Sequence, residues 1–158
     1  MASGVDVRRY QSGEEAELWN IYYGAIHRVC SRDYTPEQVS AWAPADFDAK
    51  TWAVSVAQLN PYVAVLNSRL VGYTEIQSDG LIDHFFVHPD YQGCGVGAAL
   101  MNRIFSVATG LGISRLYSHV SKTAQPFYQR FGFQVIAQNT PVIRGVALSN
   151  ATMEKHLV

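Results

Sequence analysis

The sequence predicts a mixed α/β domain: a mostly antiparallel sheet with one parallel βαβ crossover and helices on both faces. Three observations predict it. After one alternating segment, three helical hydrophobic patterns run to about Leu59. The period then shortens to two over Tyr62 to Leu66, Leu70 to Ile76 and Leu81 to Val87. A glycine-rich turn and a long amphipathic helix then separate Leu81 to Val87 from a further strand candidate, Ile113 to Val120. Consecutive hairpin strands followed by one such crossover make a mixed sheet.

Each element has a local reason. Val5 to Tyr10 alternates as a half-buried strand does. Ser12-Gly13-Glu14-Glu15 reads as a capping box, with Ser12 the N-cap of a helix from Gly13 to about Val29. That helix places Leu18, Ile21, Tyr22, Ala25, Ile26 and Val29 on one face. Thr35-Pro36-Glu37-Gln38 starts a short second helix that stops near Pro44. Asp48 caps a third helix through Trp52, Val56 and Leu59. Two strands flank the turn Asn67-Ser68-Arg69, and Ser78-Asp79-Gly80 leads into the next. The helix Gly95 to Gly110 turns Leu100, Met101, Ile104, Phe105, Ala108 and Leu111 inward. Thr123 to Phe131 is a short helix ended by Gly132, with Pro126 in its first turn. Phe133 to Ala137 and Ile143 to Leu148 are the last strands, and Thr152 to Leu157 extends the final one.

The bulk properties exclude several classes. The 158 residues fit one domain spanning 1–158. With 48% apolar and 16% charged residues the chain is not a disordered one. A net charge of −1 predicts no nucleic acid and no anionic membrane as partner. No apolar run nears the roughly 20 residues that span a bilayer. The segment Met1 to Asp6 lacks signal-peptide character. Cys30 and Cys94 make no disulfide framework, so a cytoplasmic protein with reduced thiols is expected. No metal site is predicted. The charge is uneven: Met1 to Asp90 carries 12 acidic and 6 basic residues, and Tyr91 to Val158 carries 1 acidic and 6 basic. No carboxylate side chain occurs between Asp90 and Glu154, so a polyanion would meet little repulsion there.

The acid-free segment opens with Gln92-Gly93-Cys94-Gly95-Val96-Gly97-Ala98. Three glycines let a backbone approach a ligand closely. The following helix start offers unpaired N–H groups and a positive dipole end. Strand, glycine turn and helix start together form a phosphate site. A dinucleotide reading needs an acidic residue about 20 positions on, which this chain lacks. A nucleotide-triphosphate loop needs Gly-Lys-Ser/Thr, which is also missing. A tight turn without ligand remains the alternative.

Tyr91-Gln92-Gly93-Cys94-Gly95-Val96-Gly97 resembles the acetyl-coenzyme A signature Arg/Gln-x-x-Gly-x-Gly/Ala of the GNAT N-acetyltransferase superfamily, and Phe86 to Asp90 resembles its strand exit. Downstream, Ala124-Gln125-Pro126-Phe127-Tyr128-Gln129-Arg130-Phe131-Gly132-Phe133 is similar to that family's A-x-x-F-Y-x-x-x-G-F motif. The element order also matches along nearly the whole chain, as in small single-domain bacterial members. The resemblance implies that backbone N–H groups from Gln92 to Ala98 hold the coenzyme A pyrophosphate. Pantetheine would lie along Phe85, Phe86 and Val87, with Phe127 and Ser121 beside it. Val87 N–H would polarise the thioester carbonyl. The family often has Asn where Ser121 stands, a longer hydrogen-bonding side chain. Cys94 occupies a variable position, and direct transfer needs no acyl-enzyme.

By the same resemblance Tyr128 donates to the leaving thiolate. A free tyrosine titrates near 10 and a thiol near 8.5, so full proton transfer is uphill by roughly 2 kcal/mol. Tyr128 is thus expected to hydrogen-bond the thiolate or to have a lowered pKa. Asp83, sharing the strand parity of Phe85 and Val87, is the first candidate for the base, acting through water. Glu75 on the neighbouring strand is the second, and His84 has a suitable pKa but opposite parity. Tyr22, Tyr23, His27, Tyr34 and Trp42 are candidates for an aromatic acceptor pocket suited to a cationic amine, although Tyr22 and Trp42 also fit a core. The implied activity is acetyl transfer from acetyl-coenzyme A to a small-molecule or peptide amine, with a homodimer among the assemblies small members adopt. A non-catalytic acyl-coenzyme A-binding sensor is the reading from another class.

Overall fold

The computed structural model describes residues 4–157. Residues 1–3, part of the segment read above for signal-peptide character, lie outside the described residues, as does residue 158. Strand β1 (Asp6–Arg9) leads to helix α1 (Glu15–Gly24), which continues through a π-helical turn, Ala25–Val29, and a 3₁₀ turn, Cys30–Arg32. Ser12 is not the cap. Glu14 precedes the helix, but its carboxylate is drawn to Arg8 at 2.7 Å and to the Gln11 N–H at 2.7 Å, so the entry is held by an ion pair. The widened π turn ends the regular helix five residues early and turns Ala25, Val29 and Cys30 toward a cleft.

Helices α2 (Pro36–Trp42) and α3 (Ala49–Leu59) start as their caps predict. Thr35 and Gln38 form a reciprocal capping box, and Asp48 accepts from the Lys50 and Thr51 N–H groups. Strands β2 (Tyr62–Leu66) and β3 (Arg69–Thr74) join through Asn67 and Ser68, both at positive φ, so the turn is one residue shorter than the sequence suggests. Strand β4 (Phe85–Val87) closes an antiparallel sheet ordered β1-β2-β3-β4. Helix α4 (Val96–Gly110) packs on this sheet. Its Leu100, Met101, Ile104 and Ala108 are buried, whereas Leu111, expected inside, caps the helix and is exposed.

Strand β5 (Arg115–Ser121), helix α5 (Gln125–Arg130) and strand β6 (Gln134–Asn139) follow. The segment Ile143 to Leu148 is not one strand. Arg144 and Gly145 both take positive φ and fold it into a hairpin of β7 (Val142–Ile143) and β8 (Val146–Ala147). The chain end is an independent strand, β9 (Asn150–His156), lying between β5 and β6 in a second antiparallel sheet.

The two sheets meet at one point. A single parallel bridge joins Leu81 to Tyr117, with Ile82 N–H on the Tyr117 carbonyl at 2.9 Å and Tyr117 N–H on the Gly80 carbonyl at 3.0 Å. Beyond it β4 and β5 diverge. The expected strand Leu81 to Val87 is therefore regular only over its last three residues. Before them, the Glu75 carboxylate takes the N–H groups of Asp83 at 2.9 Å and His84 at 2.6 Å, replacing ladder bonds. Ile82, Met101, Ile104, Leu116, Phe133 and Met153 form the core beneath the junction.

Gly80 sits at this junction with φ +94°, and a β-carbon on it would lie 2.0 Å from the Arg115 carbonyl oxygen. Gly80→Ala is expected to cost about 3 kcal/mol in urea denaturation, against about 1 kcal/mol for Gly112→Ala, whose β-carbon meets open space. Equal losses would show that the close approach is unimportant.

Candidate active site

The splay leaves one edge of β4 without a strand partner. His88 N–H donates to the Val71 carbonyl, which makes Gly72–Val87 a non-hydrogen-bonded pair of the antiparallel ladder. The N–H groups of Phe85 and Val87 therefore point away from β3, into the gap. The Gln92 side-chain amide donates to the Val87 carbonyl at 3.1 Å and braces the strand exit. After the 3₁₀ turn Pro89–Tyr91, Gly93 at φ +74° and Gly95 at φ +84° carry the chain into α4. Side chains other than glycine rarely adopt that backbone. The first three amides of α4, from Val96, Gly97 and Ala98, have no intrahelical acceptor and face the end of the gap. Gly97 has a second role: a β-carbon there would come 2.9 Å from the Phe127 ring, so its absence lets α5 close on α4.

Between these parts lies a cleft of about 790 Å³. Phe85, Phe86, Val87, Gln92, Gly93, Gly95, Val96, Gly97, Ala98, Ser121 and Phe127, all predicted from the sequence, line it. Cys94 does not; its exposed thiol turns back to the Gln92 carbonyl at 3.7 Å. Cys30, Arg32 and Arg130 line the cleft without having been predicted, and no carboxylate does. Burial pushes the Cys30 thiol up, so it is a neutral wall residue. Ser121 accepts from the Ala124 N–H at 3.2 Å and so also shapes the turn into α5.

A second cavity of about 250 Å³ adjoins the first. Tyr22, Tyr34 and Trp42 line it, as do Asp83 and His84. Tyr23 and His27 lie outside both linings: their rings stack on each other at 4.0 Å, and His27 Nε2 bonds the Ala43 carbonyl oxygen at 2.7 Å. The far wall is Ile143, Leu148, Ser149 and Asn150, contributed by the hairpin and the start of β9. That wall carries no local signature; it becomes part of the site only when β9 inserts beside β5. The two cavities share Phe85, Phe86, Ser121, Ala124 and Tyr128.

The segment between α1 and α2 straps the arms of the gap together. Arg28 pairs with Asp90 at 2.6 Å on one arm, and Asp33 accepts from Thr123 at 2.7 Å on the other. The Tyr34 hydroxyl donates to the Ser149 carbonyl and accepts from the Lys122 N–H.

Tyr128 is buried at the shared wall. Desolvation pushes its pKa above the ordinary range, the Ser118 hydroxyl pulling the other way and the Glu75 charge adding to the push. The lowered pKa offered above as an alternative is therefore overturned: this phenol stays protonated and is suited to donating a hydrogen bond. Burial also raises Tyr22, to about 12. Glu75 is buried outside both linings, its carboxylate accepting from Asp83, His84 and the Gln77 amide; burial still holds its pKa up. Asp83 differs, with a side chain 52% exposed on the second cavity. His84 packs inward, bonded through Nδ1 to the Tyr73 hydroxyl at 3.0 Å.

The sequence profile of the acetyltransferase (GNAT) domain matches residues 30–157. The chain belongs to the GNAT family. It is an acetyl-coenzyme A-dependent acyltransferase, with acetyl-coenzyme A as acyl donor. The positive-φ glycines, free helix amides and acid-free apolar cleft fit such a donor. This GNAT is 32% identical over 151 residues to the N-acetyltransferase YafP of Escherichia coli K12, covering 96% of this chain and 95% of that one. It superposes on a GCN5-related N-acetyltransferase from Rhodopseudomonas palustris with a TM-score of 0.94 at 30% identity, over 99% and 98% of the chains. The PaiA N-acetyltransferase of Thermoplasma acidophilum, crystallised with coenzyme A, shares the fold with a TM-score of 0.77 at 18% identity, over 99% of each chain. Among the described residues no helix is long and apolar enough to cross a membrane.

Burial holds the His84 imidazole below its ordinary range, with Asp83 opposing. Its folded value is depressed, so as pH falls the unfolded chain takes up this proton first and stability is lost. His84 is expected to lower the urea midpoint as pH falls from about 7 to about 5, partly offset by Glu75, whose raised pKa works in the opposite sense. His84→Gln is expected to flatten that slope, leaving the smaller share of His88, which partial burial also holds low. An unchanged slope in the variant would assign the dependence elsewhere.

Proposed function

We propose that this enzyme moves the acetyl group to a primary amine by direct attack, with both substrates bound at once. One observation carries this reading: two cavities with otherwise different linings share a wall at Tyr128 and the free edge of β4. Donor and acceptor can thus lie on the two sides of one wall together, and no side chain has to carry the acyl group between them.

Acetyl-coenzyme A supplies an acyl thioester, with a carbonyl open to attack and a thiolate that can leave. Val87 N–H is the donor for the carbonyl oxygen as negative charge grows on it. The amides of Gln92 to Ala98 hold the pyrophosphate, and Phe85, Phe86, Ser121 and Phe127 line the pantetheine path. Tyr128 O–H donates to the sulfur as the carbon–sulfur bond breaks. Its raised pKa makes complete transfer costlier than the roughly 2 kcal/mol of the unperturbed pair. A hydrogen bond to a charged acceptor is worth about 1.5–3 kcal/mol without that transfer. The acceptor must be neutral to attack, although a free primary amine titrates near about 10.4. Asp83 faces the acceptor cavity and is open to water, which supports its role in drawing the amine proton away. Glu75 is a brace for Asp83 and His84, so its part is positional.

Release of thiol from acetyl-coenzyme A in the presence of an amine library tests the reaction. Tyr128→Phe is expected to lower kcat about 100-fold with the KM for acetyl-coenzyme A within about twofold; an unchanged kcat removes the donor role. Asp83→Asn is expected to lower kcat/KM for the amine about tenfold and steepen its rise with pH, because the variant depends on amine already neutral in solution. A parallel pH profile in the variant would count against Asp83.

A further inference from the structure

Resting on that reading, we infer that the acceptor is a small primary monoamine with a flat aromatic body. Three features of the second cavity lead to this class. The first is its walls. Tyr34 and Trp42 meet edge-on at 5.7 Å, Trp42 lies tilted at 60° to Phe86 at 6.4 Å, and Phe86 meets Tyr22 edge-on at 4.9 Å. Ring edges and faces around one space suit an aromatic guest, which gains from offset and edge-to-face packing beyond its buried area.

The second is charge. Asp83 is the only Asp, Glu, Lys or Arg residue in the lining. One carboxylate serves one amine. Just outside the lining, the carboxylates are already bonded within the protein, Glu75 to Asp83, His84 and Gln77 and Asp33 to Thr123, and two cations stand nearby. Lys122 Nζ lies 5.0 Å from the centre of the Tyr34 ring, and Arg144 is close enough to act on the Tyr22 hydroxyl. A polyamine would find no second carboxylate in the lining to receive its second ammonium.

The third is size and closure. The cavity, at about 250 Å³, falls below the roughly 300–1,000 Å³ of sites for drug-sized ligands, too small for an aminoglycoside. Its outer wall is fastened. Gln38 donates to the Ala147 carbonyl at 3.0 Å, and Arg144 donates to the Ala41 carbonyl at 2.7 Å, tying the hairpin down on α2. With this wall held in place, the cavity is matched to a compact amine rather than to a lysine carried on a bulky protein surface.

Initial rates with acetyl-coenzyme A and the full chain test this on phenethylamine, ethylamine, spermidine, kanamycin and a lysine-containing peptide. Phenethylamine is expected to exceed each of the others in kcat/KM by about tenfold or more. Trp42→Ala is expected to lower the phenethylamine-to-ethylamine ratio by about tenfold, with acetyl-coenzyme A binding by calorimetry confirming a folded variant. Faster turnover of spermidine, kanamycin or the peptide overturns the acceptor class while leaving amine acetylation intact. An unchanged ratio in the variant overturns the aromatic wall. Acetyl-coenzyme A binding without transfer to any amine overturns the amine-transfer reading itself, and the acceptor class with it. The wild-type panel decides the matter even where the variant does not fold.

Discussion

The site depends on two strands that touch once and then part. Leu81 and Tyr117 hold them at the base, and Gly80 brings the backbones close enough for that contact. Past it, β4 keeps its bonds to β3 and presents its other edge to open space. An unpaired strand edge is normally a hazard, because it invites another chain. Here it sits inside a cleft, roofed by the strap between α1 and α2, where a slender ligand can take the place of the missing strand. The free amides of β4 and those at the start of α4 lie along one groove, so one splay exposes both.

Keeping the strands apart needs groups that satisfy the backbone where the ladder stops. Glu75 does this by accepting two consecutive N–H groups from inside the protein. A buried carboxylate is costly unless it is well bonded, and this one has three partners. The same arrangement aims Asp83 outward and His84 inward. Both residues line the second cavity, with His84 Nε2 3.9 Å from Asp83 Oδ2, but Asp83 is the more exposed and His84 is also held by the Tyr73 hydroxyl. Strand parity anticipated that separation, but not that a carboxylate would enforce it.

The elements with strong local chemistry were legible. Thr35 with Gln38, Asp48, Gly93 and Gly95 define starts and turns through bonds within a few residues, and the helix on Leu100, Met101 and Ile104 follows from its period. Most of the donor cleft was legible for the same reason, since its glycine loop is one continuous segment. The errors arose where a distant partner competes with a local signal. The helix starts after Glu14, whose carboxylate takes Arg8 and the Gln11 N–H, while Glu15 takes the Gly13 N–H in place of the Ser12 box. The Arg144–Gly145 turn breaks a plausible strand, and β9 becomes a central strand because both β5 and β6 need an inner neighbour.

Glycine placement, caps and period specify the loop and the helix that follow β4, because those preferences are set by backbone sterics and bonds of short range. The second cavity has no such origin. Tyr34, Asp83, Tyr128 and Leu148 come from four separate stretches. They meet because Ile82 bonds Tyr117, because the Ser118 hydroxyl bonds the Ile82 carbonyl 36 positions away, and because Tyr34 reaches Ser149 across 115 positions. Contacts over such distances form only when the whole chain packs, so residue type alone could nominate Tyr23 and His27 alongside Tyr34 and Trp42, and only packing separates the pairs.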